Sequence, residues 1–253
     1  MKTTAVKEGN SYIINGEKRF ITNGPEADFI NLYAITTPLP KVHPKNRISS
    51  FIVETKIKGF KVKKRFNLCG LKGTAVGHLI FEDVAVPKEN LLGKENHGFH
   101  ILMSELNSER CCIAAQGVGV ARAAFEEAVK YSQERIQFGM HIRFFEGISF
   151  NIADMAIRVE ASRALTIQAA RSLDNIGNIP STKICAMAKN FSAKAATQNA
   201  TDAVGILGGI GYTNEYPVEK YYRDSKLLEI GGGTINVHKF IIQREVYREF
   251  GFS

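Results

Sequence analysis

The chain has 253 residues, 44% hydrophobic and 23% charged, which is ordinary globular composition and enough for one large domain or two smaller ones. Its 33 Lys and Arg against 25 Asp and Glu leave a net charge of +8, yet no basic groove interleaved with aromatics accompanies it, so nucleic acid is disfavoured and a solvated face or a polyphosphate ligand remains. No apolar stretch approaches the roughly 20 residues of a membrane span, and the opening MKTTAVKEGN resembles neither a signal nor a transit peptide, so a cytoplasmic location is expected.

Residues 1–95 read as strands. Residues 12–16 run into a turn at Gly16, and 18–22 continue as a second strand. Further strands are predicted over 29–36, 50–53, 60–62 and 78–81, each bounded by Gly, Pro or Asn. Several short strands at this spacing predict an antiparallel sandwich or barrel. Residues 37–47, with Pro38, Pro40 and Pro44, read as an exposed excursion, and the basic run 56–65 alternates as an exposed strand face would.

After Gly93 the hydrophobic period lengthens. Phe99, Leu102, Met103 and Leu106 follow helical spacing, as do Ile148, Ile152, Met155 and Val159. Helices are predicted over 98–133, 145–175, 181–207 and 235–249, with breaks at Gly139, 177–180 and 208–217. Four long amphipathic helices make a bundle. The expected class is therefore α+β, a small antiparallel β-barrel or sandwich over 1–95 followed by a four-helix bundle over 96–253. Cys69, Cys111, Cys112 and Cys185 lack CxxC spacing and nearby paired His; buried thiols are expected, with neither a disulfide frame nor a metal site.

Five segments carry more than pattern: NGEKRFITNG (15–24), FEDVAVPKENLLG (81–93), ERIQFG (134–139), DAVGILGGIGYTNEYPVEKYYRD (202–224) and GGGTINVHKFIIQRE (231–245). Each is weak alone. In this order and at these intervals they resemble the acyl-CoA dehydrogenase family across almost the whole chain. The resemblance implies FAD held between β domain and bundle, completed by a neighbouring subunit, hence a homo-oligomer (dimer or tetramer). It also implies an acyl-CoA substrate and delivery of electrons to an electron-transfer flavoprotein.

Residue by residue, Phe20 matches an aromatic position against the flavin, and Thr22 a hydroxyl bonding the ring near its reactive nitrogen. Without the motif, core packing would be the reading for Phe20. Arg135 matches an Arg that contacts the FAD pyrophosphate, with Phe138 the aromatic beside it. Gly208 and Gly209 match a glycine turn where the dinucleotide approaches backbone; the spacing is not a Rossmann fingerprint, and alone it would mean a helix C-cap. Thr234 and Asn236 fall where the family supplies further polar contacts to FAD.

The family's usual base, a Glu in a Tyr-Glu-Gly-Thr run, is replaced here by Gly232, which cannot abstract a proton. Some members place the base on an earlier helix beside an Arg, where this chain has Glu109 and Arg110. Glu109 is thus the expected base, in an apolar pocket that raises its pKa, with Arg110 ordering the thioester site. The bland alternative is a surface acid paired with Arg110 or Lys130, while Glu229 matches no base position and reads as structural. Family members also carry an all-helical domain and a Thr-Glu-Pro…Gly-Ser-Asp stretch before the β domain, whereas this sequence opens at KTTA. The expectation is that a separate chain supplies that part, or that the product is a catalytically impaired fragment. Glu146 and Gly205 stand where a Gln contact is common, and Glu146 would repel a pyrophosphate. A flavin monooxygenase or oxidase on the same scaffold is the remaining alternative.

Overall fold

Thr4–Glu8 (β1) and Ser11–Thr22 (β2) open the computed structural model as a hairpin whose register leaves Gly9 and Asn10 as a two-residue turn. Gly9 sits at φ +56, the left-handed geometry such turns require. The structure describes residues 2–39, 43–175 and 181–252, so the middle of the 37–47 excursion and the 177–180 break lie outside the described residues.

β2 runs straight through Gly16, where a turn is expected. What interrupts the alternation is a bulge: register against Val76–Pro87 (β6) shifts between Ile14 and Gly16, and Asn15 and Asp83 exchange two 2.9 Å hydrogen bonds across it. Gly16 is needed because a Cβ there would lie 2.7 Å from the Thr3 Cα. The same bulge splits the pattern of β6, which is why only the part before it, 78–81, is legible as a strand.

Phe29–Ile35 (β3), Ile48–Glu54 (β4), Phe60–Arg65 (β5) and Leu91–Leu92 (β7) complete one sheet of order β5-β6-β2-β1-β3-β4-β7, antiparallel except for the β1–β3 pair. Tyr12 on β2 and Phe51 on β4 stand three strand positions apart, about 14 Å in a flat sheet. Their ring centroids are 4.9 Å apart. The sheet therefore curls around its own core in barrel fashion, burying Ile14, Leu32, Val53, Leu79, Phe81 and Val86. The basic strand β5 is an edge, with Lys61 paired to Glu82 and Arg65 to Glu26 at the surface.

The chain divides into two compact units, Met1–Glu105 and Leu106–Ser253. Gly98–Glu134 (α1) crosses the boundary. Glu146–Leu173 (α2), Ser181–Leu207 (α3) and Ile235–Glu249 (α5) are the other long helices expected, and Val218–Leu228 (α4) is an additional short one. It is only 11 residues long and mostly polar, with Asp224 and Ser225 on its buried face. α3 is lined by buried Ala186, Ala188, Ala193, Ala196, Ala200 and Ala203, which allow close helix approach. At Gly117 of α1 a Cβ would stand 2.8 Å from the Ser192 carbonyl oxygen. Between α1 and α2, Ile136–Gln137 (β8) and Met140–His141 (β9) form a tight hairpin with Phe138 at φ +52 and Gly139 at φ +81. Cys111 and Cys185 are buried as expected, whereas Cys69 and Cys112 are exposed. Among the described residues no helix is long and apolar enough to cross a membrane.

Candidate functional site

On the β unit, β2 loses register with β6 again between Lys18 and Ile21, and Phe20 adopts φ +58. That conformation is costly for a bulky residue and turns the ring outward. Phe20 is 66% exposed, so core packing does not account for it. It stacks on Phe66 with centroids 4.7 Å apart, and the Arg19 guanidinium and Lys64 ammonium lie over the two rings at 5.6 and 5.4 Å. Thr22, at the end of β2, is exposed. Phe66 carries no motif signal; only the stacking reveals it.

In the helical unit, Arg135, Gly208 and Gly209 come together on one cleft of about 740 Å³, with Tyr131, Gln137 and Tyr216. α3 ends where Gly208 takes φ +66, and the chain continues as a 3-10 turn over Gly208–Tyr212. A Cβ at Gly208 or Gly209 would meet nothing within 4 Å, so bare backbone faces open space. Gly211 differs, since a Cβ there would lie 2.8 Å from the Val204 carbonyl oxygen. Arg135 is exposed and forms no ion pair among the described residues. Phe138 projects from the hairpin tip, 89% exposed and edge-on to Phe145. Glu146 sits in the first turn of α2, where a carboxylate complements the helix dipole, and Gly205 is an exposed position of α3.

A second group surrounds the turn Gly231–Gly233 between α4 and α5. Gly232 has φ +61 and Gly233 φ +103. A Cβ on Gly232 would meet Ile113 Cδ1 at 2.6 Å and the Glu109 carboxyl, Cδ and Oε1, at 3.6 Å. The Glu109 head group thus lies in van der Waals range of the space a side chain at 232 would occupy. Glu109 is exposed and has no ion pair with Arg110, Lys130 or any other described residue. The apolar enclosure expected around it is not formed by the described residues. Successive helical residues point about 100° apart, so burying Arg110 leaves Glu109 on the open flank of α1. Arg110 is buried, donates from Nη1 to Asn107 Oδ1 at 2.9 Å, and leaves its Nε without a partner; burial lowers its pKa.

Thr234 caps α5, its Oγ1 accepting from the Val237 amide at 3.5 Å, and Asn236 is exposed in the first turn. Two further residues of this group have no counterpart among the expected site residues. Lys189 on α3 is fully buried and donates from Nζ to the Gly233 carbonyl at 2.6 Å. Burial pulls its pKa down to about 8, against the opposing charges of Glu109 and Glu229. His238 on α5 is also fully buried, its ring beside the Gly232 and Thr234 backbone. Burial, then the Lys189 and Arg110 charges, lower its pKa to about 4. A lysine inside the apolar run ICAMAKNF is the one sequence signal that marks this cluster.

Residues 96–247 match the family model described as acyl-CoA dehydrogenase, C-terminal domain, and residues 1–84 match acyl-CoA dehydrogenase, middle domain. An acyl-CoA dehydrogenase of Bacillus subtilis (strain 168) is 47% identical over 244 residues, covering 96% of this chain and 63% of the relative. Subunit CarC of the caffeyl-CoA reductase-Etf complex of Acetobacterium woodii is 43% identical over 242 residues, covering 96% and 62%. The structure of butyryl-CoA dehydrogenase from Megasphaera elsdenii superposes with a TM-score of 0.91 at 38% identity, covering 97% of this chain and 63% of that one. The chain thus spans less than two thirds of each of these relatives.

Proposed function

The chain belongs to the acyl-CoA dehydrogenase family, and from that premise we propose that it serves the α,β-dehydrogenation of an acyl-CoA thioester, with Glu109 as the general base. The observation that carries this reading is the Glu109 carboxyl lying against Gly232, 3.6 Å from where a Cβ would stand. The family's usual base position carries no side chain here, and the Glu109 carboxylate lies beside it. Glu109 takes the proton from the α carbon onto a carboxylate oxygen, and the C–H electron pair becomes the new double bond. Arg110, buried beneath it and bonded to Asn107, fixes the turn of α1 that presents Glu109.

The residues present fit a dinucleotide. An Arg135 guanidinium without an ion pair and two side-chain-free backbone positions share one cleft, the donor set a pyrophosphate takes. Arg135, Gly208 and Gly209 would hold the pyrophosphate of FAD, Phe138 would flank it, and Thr234 and Asn236 would add polar contacts. On the β unit, the exposed Phe20 ring and the Thr22 hydroxyl would meet the isoalloxazine and keep water from it. FAD, when bound, supplies the acceptor for the hydride that leaves the β carbon. An electron-transfer flavoprotein as a redox partner is supported by the relative named as part of an Etf complex, and a homo-oligomer by the placement of the Gly208 turn on an open cleft.

The test is Glu109→Gln in the FAD-loaded protein. Turnover of an acyl-CoA should fall about 10²- to 10⁴-fold with flavin content unchanged. A variant that keeps full rate removes Glu109 from the mechanism, and a purified protein that takes up no added FAD overturns the flavoenzyme reading altogether.

A further inference from the structure

The turn on which Glu109 rests has no side chain of its own with which to hold its shape. Gly231, Gly232 and Gly233 form the most permissive backbone a chain can offer, and two of them stand in the left-handed region. Its entry is tied by the Gly231 amide donating to the Leu227 carbonyl at 2.8 Å. Its exit is tied from α3 by consecutive residues, Lys189 to the Gly233 carbonyl at 2.6 Å and Asn190 Nδ2 to the Ile235 carbonyl at 3.0 Å. Thr234 then caps the helix that follows. Between these ties Gly232 is confined by Ile113 on one side and the Glu109 carboxyl on another.

Lys189 is an expensive choice for such a tie. It is fully buried on an alanine-lined helix, where an ammonium loses its hydration and an apolar side chain of the same length would pack as well. Its one hydrogen bond among the described residues is to the turn. The charged groups around it are Glu109 and Arg110 from α1 and Glu229 just after α4, with the titratable His238 from α5 beside them. Of these, the two carboxylates favour its charge and Arg110 opposes it.

We propose that Lys189 is the positioning residue for Glu109: through the Gly233 carbonyl it locks the glycine turn beside which the carboxylate lies. The consequence for chemistry rests on the reading of Glu109 as the base; the anchoring of the turn does not. A base displaced by about 1 Å loses on the order of 100-fold in rate, so a turn free to wander is sufficient to disable it.

The test compares Lys189→Met with Lys189→Arg and reads the protein before any catalysis. In Lys189→Met, amide hydrogen exchange over residues 231–234 should quicken by about tenfold or more while the buried middle of α3 keeps its protection. With acyl-CoA, kcat should fall on the order of tenfold while KM stays within about twofold. Lys189→Arg should restore the slow exchange and most of the rate. Unchanged exchange over residues 231–234 in Lys189→Met overturns the proposal. If that variant does not fold, the wild type decides the matter: the Gly232 and Gly233 amide resonances should follow a titration near pH 8 that is absent in Lys189→Arg, and flat resonances count against the anchor. Retained turnover in Glu109→Gln removes the base reading alone and leaves these backbone measurements standing.

Discussion

Two glycine turns in the helical unit invite the same description and have opposite physical reasons. At Gly208 and Gly209 an added methyl would enter open space, so the absence of side chains keeps a cleft clear for something else. At Gly232 a methyl would strike Ile113 Cδ1 at 2.6 Å, and at Gly233 it would stand in ordinary contact with His238 at 3.4 Å, so at Gly232 the absence of a side chain lets the protein close on itself. The first turn is wet and bordered by a guanidinium without an ion pair. The second is surrounded by buried Arg110, Lys189 and His238. Glycine in a motif therefore marks either room for a ligand or lack of room for anything, and neighbouring atoms decide which.

This contrast can be broken at its dry end first. His238 has a folded-state pKa of about 4, below its ordinary value of 6.5, so the unfolded chain takes up a proton that the folded chain refuses. Stability is then fully present above about pH 6.5 and declines as pH falls towards 4, by up to about 3 kcal/mol. Urea unfolding at pH 7 and pH 4.5 should show the slope in the wild type and a shallower one in His238→Leu. Equal slopes in both proteins remove His238 from the acid response.

At the wet end, Arg135→Gln should weaken FAD binding by about 10- to 100-fold, read by fluorescence titration, while leaving the melting temperature of the FAD-free protein unaltered. Lost stability without lost affinity would make Arg135 a structural residue. The smallest effects sharpen the comparison of the turns themselves. Gly232→Ala should destabilise the fold by about 1–2 kcal/mol, from strain and collision together. Gly209→Ala, at a backbone angle any residue accepts, should stay within about 0.5 kcal/mol in thermal unfolding yet reduce FAD affinity. If the two variants behave alike, the turns do not differ as described.

Much of the fold was legible because it rests on local periodicity. The change from alternating to helical spacing after Gly93 marks where sheet gives way to helices, and the four long helices lie where their apolar stripes put them. Gly16 misled because a bulge and a turn share the same signature, a glycine interrupting alternation; the difference lies in Thr3 pressing on it from the neighbouring strand. α4 was silent because it is only 11 residues long and polar over most of its length. In the candidate site, Glu109 could be inferred from the vacancy at Gly232, a correspondence between distant positions that a motif can carry. Phe66 could not, because nothing local distinguishes a phenylalanine that stacks at the surface from one in a core.

The amino-acid sequence by itself determined that a strand region precedes a helical one, where the four long helices lie, and the family. Those are properties of residue order, and residue order suffices to encode period and motif. Only the tertiary structure decided that Lys189 reaches the carbonyl of a residue 44 positions away and that His238 lies dry beside it. A side chain's burial and its hydrogen-bond partner depend on which helices meet, and that is set by packing over the whole unit rather than by any neighbour along the chain.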